Sequence, residues 1–460
     1  MTNDAPHSVV SRLRAGHSAG ITRPLSWRTS QLKALRALLV EGRPGLERAL
    51  HEDLRKSPTE AWTTEIGFTL NEIDHTLKHL EGWLRPQKAR VPATLQPARA
   101  RIVREPLGVV LIISPWNYPV NLALAPLVGA LAAGNCAVLK PSELAPATSA
   151  ALARLVPKYL DTAAVAVVEG GVPETTALLE ERFDHIFYTG SGGVGRVVMA
   201  AAARHLTPVA LELGGKSPAL VEPGVDLAAT ARRIVWGKFL NAGQTCVAPD
   251  YVLAIGATTA RHLEAELTEA IGDMYGPDPK ESSDYGRIVN DRHFERLTAL
   301  LKDGRIVTGG EHDTAERYLA PTVLAEVDPD SSVMSEEIFG PVLPIVTVPD
   351  LDAAIAFING RDKPLALYAF TAYDHTKARL AAETSSGALG FGLPAAHLAV
   401  PSLPFGGVGE SGTGAYHGVH SLDTFSHRKA VLDKPLSPDT WSVAYPPFSR
   451  IKKTILRRFL

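Results

Sequence analysis

The chain holds two cysteines, and their surroundings differ. Cys246 ends the run NAGQTC, Asn241 to Cys246, where small and polar residues precede the thiol. Cys136 sits in LAAGNCAVL, among apolar residues and next to a strand-like segment. A thiolate is a strong nucleophile once N–H donors or a proton acceptor stand nearby. A free cysteine taken alone is more often a small, inert core residue. Cys136 fits that description well, and Cys246 fits it less well.

Other segments carry residue types that would complement a nucleophile. Glu212 lies in LELGGKSP at the end of an apolar, strand-like run. A buried carboxyl holds its proton to higher pH, which suits a general base; a salt-bridged structural glutamate is the alternative. Asn117 lies in SPWNYP, a segment stiffened by two prolines directly after the strand-like LGVVLIIS. Its amide can stabilise an oxyanion, or it can close a local turn. In VLKPSE, Lys140 and Glu143 flank a Pro-Ser at the end of another strand. Open parallel sheets bind ligands at that edge, where lysine donates to and glutamate accepts from sugar hydroxyls. The alternative is a solvated strand end with Ser142 capping the next helix. Gly190, Ser191 and Gly195 follow DHIFYT and open a helix, a setting for a nucleotide phosphate. Their spacing is not G-x-G-x-x-G, so a tight turn that merely needs glycine is an equal reading.

Composition narrows the classes. The 460 residues are 45% hydrophobic and 21% charged, with a net charge of -2. That balance offers no basic stripe for a nucleic-acid backbone. Two cysteines cannot build a disulfide framework and suit a reducing compartment, so the cytoplasm is expected. The start, MTNDAPHSVVSRLRAG, lacks the apolar core of a secretory signal. No apolar run is long enough to span a membrane. The ending RIKKTILRRFL is basic with interspersed apolar residues; a frayed tail, a dimer contact and a weak anionic-membrane contact are all open. His397, His417, His420 and His427 are scattered and form no metal pattern. Ser191 and Ser411 lie outside any G-x-S-x-G elbow.

The elements that must position these groups follow from periodicity. Leu32, Leu35, Leu38 and Leu39 predict a helix over residues 25–56. Ile66, Leu70, Ile73, Leu77 and Leu80 predict a second, from about Thr63 to Leu84, stopped by Pro86. RIVREP reads as an exposed strand. From Leu107 strands alternate with helices: LGVVLIIS, NCAVLK, AAVAVVEG, DHIFYTG and PVALELGG are the strands. That order argues for βαβ units and a mainly parallel sheet. A second α/β region begins after Gly214, with strands at YVLAI, RIVTGG, VLPIVTV and ALYAFTA. LPFGGVGESGTGAYHG is a glycine-rich loop that needs a reason such as close backbone approach.

Together these segments resemble the NAD(P)-dependent aldehyde dehydrogenase superfamily. NAGQTCVAPDYVL, LELGGKSP, SPWNYP, VLKPSE, EEIFGPVLPI and LPFGGVGESG are similar to its motifs and occur in its order, over about residues 10 to 435. HLTPVALELGGKSP, AVPSLPFGGVGESGTGAYHG, SHRKAVL and the late YPP resemble its class 3 branch of fatty and aromatic aldehyde dehydrogenases. The resemblance implies an α/β fold with a Rossmann-like cofactor domain, a second α/β catalytic domain and a small β oligomerisation extension. It assigns 1–84 and 107–211 to NAD(P) binding, 212–390 to catalysis, 85–106 and 391–435 to bridging between subunits, and 436–460 to a tail.

The resemblance also implies roles. Cys246 would be the nucleophile, Glu212 the general base, and Asn117 with the Cys246 N–H the oxyanion hole. NAD or NADP would be held by Trp116, Lys140, Glu143, Gly190, Ser191, Gly195, Glu337 and Phe339. An aromatic or medium- to long-chain aldehyde, a homodimer and no transmembrane anchor are expected. A CoA-acylating or a semialdehyde-specific dehydrogenase is the alternative within enzymes, and a non-catalytic homologue the alternative outside them. One departure stands out. Many class 3 relatives carry Asn-Asp before the histidine of the late loop, where this chain has Phe391, Gly392, Leu393 and Pro394.

Overall fold

The computed structural model describes residues 6–459; Met1 to Ala5 and Leu460, the ends of the N-terminal and tail segments above, lie outside them. Two α/β sheets carry the molecule. The first has six strands in the order Gly412–Thr413, Val209–Glu212, His185–Thr189, Val109–Ile113, Cys136–Lys140 and Val165–Val167. All its pairings are parallel except that of Gly412–Thr413. VVLII, CAVLK and HIFYT are buried at every residue, as expected for strands covered by helices on both faces. The helix Asn121–Ala133 is likewise buried all round, so it shows no polar face. Leu25–Leu54 and Pro146–Tyr159 pack against each other outside the sheet.

The strand order contains a switch. The chain runs outward from Val109–Ile113 to Val165–Val167, then returns to the other side of its starting strand with His185–Thr189. The crevice beyond the carboxyl ends of these two strands is where such sheets bind ligands.

The second sheet has seven strands in the order Arg305–Thr308, Thr322–Ala325, Val342–Val348, Tyr251–Ile255, Pro218–Val221, Ala366–Phe370 and Ala388–Phe391. Only the edge strand Arg305–Thr308 is antiparallel. A three-stranded antiparallel sheet joins Gln87–Ala89, Arg99–Pro106 and Ser426–Asp433. The strand expected at RIVREP therefore exists, with one partner just before it in the chain and the other from the far end.

Several elements depart from the expectation. The second helix does not begin at Thr63. A helical turn at Pro58–Ala61, capped by Ser57, leads into a π turn at Trp62–Ile66, and regular helix runs only over Gly67–Leu84. Periodicity reads the side chains of such a segment but not one extra residue in its winding. The strands Pro218–Val221 and Thr322–Ala325 are four residues long, too short to show a period. The helix Pro6–Ser18 was not anticipated. The basic ending forms a helix, Arg450–Phe459. Among the described residues no helix is long and apolar enough to cross a membrane.

Candidate active site

Cys246 sits on a left-handed turn. The helix Leu227–Phe239, capped at its start by Asp226, ends just before it. Asn241, Ala242 and Gly243 then take φ values of 54°, 52° and 76°. Left-handed backbone costs a non-glycine residue about 1–2 kcal/mol, so something must hold it. The Asn241 side-chain amide donates to the Asn117 carbonyl at 2.8 Å and to the Gln244 carbonyl at 3.2 Å, and the Asn241 N–H donates to Glu60 at 2.7 Å. The Gln244 amide donates to the carbonyls of Asn241 and Arg287, each at 3.0 Å, and its oxygen accepts from Val289 N–H at 3.0 Å. NAGQTC is thus a cross-braced and mostly buried turn, not the flexible polar stretch that its composition suggests.

Gly243 has a second reason to be glycine, because a β-carbon there would strike the Gly340 carbonyl. Gly243→Ala is expected to lower both the melting temperature and the rate, as backbone meets backbone and the turn must open. Thermal melts and kinetics on the purified variant check this; wild-type values for both would contradict it.

The Cys246 sulfur receives its own N–H and that of Val247, which pull its pKa down. Burial, then the carboxyls of Glu337 and Glu212, push the thiol the other way, up to about 12. The resting Cys246 side chain is therefore a protonated thiol within electrostatic reach of two carboxyl groups, those of Glu337 and Glu212.

Asn117 follows the strand Val109–Ile113 and is buried. Its amide nitrogen donates to the Gln244 carbonyl at 3.0 Å, and its side-chain oxygen has no partner. The amide is tied to the nucleophile turn rather than closing a local turn of its own. That bond uses one of its two N–H hydrogens.

Glu212 is the last residue of Val209–Glu212 and only 2% exposed. Neither carboxyl oxygen has a hydrogen-bond partner, and burial raises its pKa well above the ordinary value. The salt-bridge reading of this residue is set aside. Backbone from the glycine-rich loop covers its strand: Gly412 pairs with Glu212, and a β-carbon at Gly412 would strike the Leu211 carbonyl. That close approach is the reason for the loop's glycine.

Glu337 packs its carboxyl against Gly214. Burial and Asp250 raise its pKa to about 8, against the opposing pull of the Gly215 amide, Lys216 and Lys238. Phe339 stands at φ 50°, and its ring meets Trp116 edge-on at 5.3 Å; Trp116 in turn lies 5.4 Å from His293. Tyr118, Tyr368 and Tyr416 are buried phenols whose pKa values burial raises, and each lies within electrostatic reach of Cys246. Tyr118 shares a 2.6 Å hydrogen bond with Thr245, and Tyr368 donates to the Val247 carbonyl at 2.7 Å.

The remaining predicted residues gather at the switch crevice. Lys140 is buried rather than solvated, donates to the Pro141 carbonyl at 2.7 Å, and lies 3.8 Å from the half-exposed Glu143. Ser142 does not cap the next helix. Its hydroxyl accepts from Leu144 N–H, and the helix starting at Pro146 is capped by Asp53 through the N–H groups of Ala147 and Thr148. Ser191 precedes the helix Gly192–Ala203 without using its side chain as a cap. A β-carbon at Gly190 would strike the Tyr188 hydroxyl, one at Gly195 would press Leu213 at 2.9 Å, and one at Gly193 would meet nothing within 4 Å. The buried hydroxyls of Ser114 and Thr189, at the ends of the two switch strands, have no partner. An open glycine helix start, a buried lysine and two orphaned hydroxyls suit a dinucleotide's phosphates and riboses. Among the described residues no cluster of three metal-ligating side chains occurs.

Sequence reasoning missed Lys56, Glu60, Glu65 and Gln244, which brace the turn and the Asn117 loop. Lys56, Glu60 and Glu65 lie outside every motif with no spacing pattern that marks them, and Gln244, although inside NAGQTC, carries no sign there that it reaches Arg287 and Val289.

The fold and this arrangement of thiol, carboxyl, amide and dinucleotide crevice define an aldehyde-oxidising α/β enzyme. The aldehyde dehydrogenase family model matches residues 7–431, and the chain belongs to that family. Within it, the chain is an NAD(P)+-dependent aldehyde dehydrogenase of the class 3-like branch. It is 50% identical over 441 residues to the dimeric NADP-preferring aldehyde dehydrogenase of Mus musculus, covering 96% of this chain and 97% of that one. It is 50% identical over 455 residues to aldehyde dehydrogenase family 3 member H1 of Arabidopsis thaliana, covering 98% and 94%. The solved structure of Staphylococcus aureus AldH in a substrate-bound state superposes with a TM-score of 0.96 at 43% identity over 99% of both chains. The fold has the Rossmann-like and catalytic α/β parts and the small β-sheet of that family.

Proposed function

We propose that the enzyme oxidises an aldehyde to the carboxylic acid through a thiohemiacetal and a thioester on Cys246. The observation that carries this reading is the setting of the thiol. Two backbone N–H groups act on the sulfur, the Asn117 amide is tied to the same turn, and the unpartnered Glu212 carboxyl is within electrostatic reach. The Cys246 thiol gives up its proton to water, the thiolate sulfur adds to the carbonyl carbon, and the oxygen takes the charge. Asn117 and the Cys246 N–H hold that oxyanion. When bound, the oxidised nicotinamide supplies the acceptor for the hydride that leaves this adduct, so that a thioester remains on the sulfur. In its ionised form, which becomes populated as pH rises, Glu212 then takes a proton from water, the hydroxide adds to the acyl carbon, and the Cys246 thiolate departs as the acid forms.

Lys140 and Glu143 would hold the adenosine ribose of NAD or NADP, and the N–H groups around Gly190, Ser191 and Gly195 its pyrophosphate. Glu337, Phe339 and Trp116 would hold the nicotinamide half. Residues 1–84 and 107–211 serve the cofactor, 212–390 the chemistry, and 85–106 with 391–435 the contact between the subunits of a homodimer. A free-thiol nucleophile suits the cytoplasm. The aldehyde we favour is aromatic or medium- to long-chain aliphatic. Phe391 and Leu393 stand exposed on the late loop, which is held by Arg233 donating to the Gly392 carbonyl at 2.7 Å.

A panel of aldehydes read at 340 nm with NAD and with NADP tests the substrate. Benzaldehyde and C6–C12 alkanals are expected to exceed acetaldehyde and charged semialdehydes in kcat/KM. A strict need for coenzyme A, or a semialdehyde as best substrate, would replace this reading. Asn117→Ala is expected to lower kcat about a hundredfold, from an oxyanion donor worth about 3 kcal/mol, with KM little changed.

A further inference from the structure

The oxyanion loop and the nucleophile turn both rest on one short segment, residues 56–66. Lys56 and Glu65 are completely buried and paired at 2.6 Å. Lys56 also donates to the Asn117 carbonyl at 2.8 Å, and its ammonium lies 3.9 Å from the centre of the Tyr118 ring. The second oxygen of Glu65 accepts from Val120 N–H at 2.8 Å and Asn121 N–H at 3.1 Å, where the loop enters its helix. Glu60, on the same segment, accepts from Asn241 N–H at 2.7 Å. In a regular α-helix, residues five apart diverge by roughly 140°. The π turn at Trp62–Ile66 changes that winding between Glu60 and Glu65.

A buried ion pair is a poor source of stability, because desolvation offsets its attraction and a packed apolar pair does as well. Here both charges are spent on the main chain around Asn117. We propose that Lys56 and Glu65 are positioning residues for the oxyanion hole, fixing the backbone on both sides of Asn117 so that its side-chain amide faces the sulfur of Cys246. The inference rests on Asn117 being the oxyanion donor.

The test needs no cofactor. Release of p-nitrophenolate from p-nitrophenyl acetate reports acylation of Cys246 through an oxyanion. Alkylation of Cys246 by iodoacetamide, followed by mass spectrometry, reports the same thiol without one. Glu65→Gln is expected to slow acylation about tenfold to a hundredfold, as for a small misplacement of a catalytic group. Alkylation should stay within about threefold of wild type, because thiolate character and access are unchanged. In an Asn117→Ala background, Glu65→Gln should add nothing. Multiplying effects in that cycle, or equal losses in acylation and alkylation, would overturn the proposal while leaving Asn117 as donor. No effect of Asn117→Ala alone would instead remove the oxyanion reading beneath it. Lys56→Met run through the same cycle covers a poorly folding Glu65→Gln. If neither variant folds, the pair is core structure and the proposal falls.

Discussion

Cys246→Ser abolishes aldehyde-dependent NADH formation, by at least about a thousandfold, while NADH binding survives; this is the largest single effect expected. A hydroxyl is a far weaker nucleophile than a thiol and needs a strong adjacent base to act. Glu337 and Glu212 are the carboxyls that act on Cys246 among the described residues, and burial raises the pKa of both. The N–H groups of residues 246 and 247 can stabilise a thiolate but cannot make an alkoxide at neutral pH. Substituting oxygen for sulfur leaves the braces of the turn in place, since none of them involves the side chain of residue 246. Fluorescence titration with NADH and turnover at 340 nm separate the two outcomes. Wild-type turnover in this variant would remove Cys246 as the nucleophile.

The second large effect is on Glu212. Glu212→Gln is expected to keep a burst of about one NADH per site and to lose steady-state turnover by about 10²–10⁴, the usual worth of a general base. Acylation needs the thiol and the oxyanion hole; release of the acid needs a base for water. Stability should move in the opposite direction. The unfolded carboxyl ionises near the ordinary glutamate value of 4.5, whereas in the fold burial holds its proton to well above that. Below pH 4.5 both states carry the proton and nothing is lost. As pH rises above it, the unfolded chain binds fewer protons than the folded one, so the wild type loses stability at about 1.4 kcal/mol per unit. Glutamine does not titrate. The melting temperature of Glu212→Gln relative to wild type should therefore climb from pH 5 to pH 8. A constant difference across that range would mean that Glu212 is ionised in the fold. For the same reason, wild-type turnover should rise with pH if hydrolysis limits it.

The chemistry-bearing segments were legible because they are local. A strand that ends in Glu212, a proline-stiffened loop after Val109–Ile113 and a glycine helix start each lie within one stretch of chain. Apolar runs such as VVLII announced buried parallel strands without help from distant residues. What misled was polarity. NAGQTC and Lys140 look solvated, yet Asn241 to Thr245 and Lys140 are buried: the turn is satisfied by backbone from elsewhere in the fold, and Lys140 by the neighbouring Pro141 carbonyl.

The order of motifs, the alternation of strands and helices and the choice of Cys246 as the proposed nucleophile were determined by the sequence alone. These depend on residue type and on spacings of a few residues. Only the tertiary structure decided how the nucleophile is held and protonated. The left-handed turn at Asn241 to Gly243 persists because Asn117, Gln244 and Glu60 grip it. Glu212 has a raised pKa because its carboxyl is buried without a hydrogen-bond partner. The buried Lys56–Glu65 pair reaches Asn117 across the fold, through contacts between segments far apart in the chain. Burial and long-range hydrogen bonds set both backbone strain and pKa, and neither is a property of the residues taken in order.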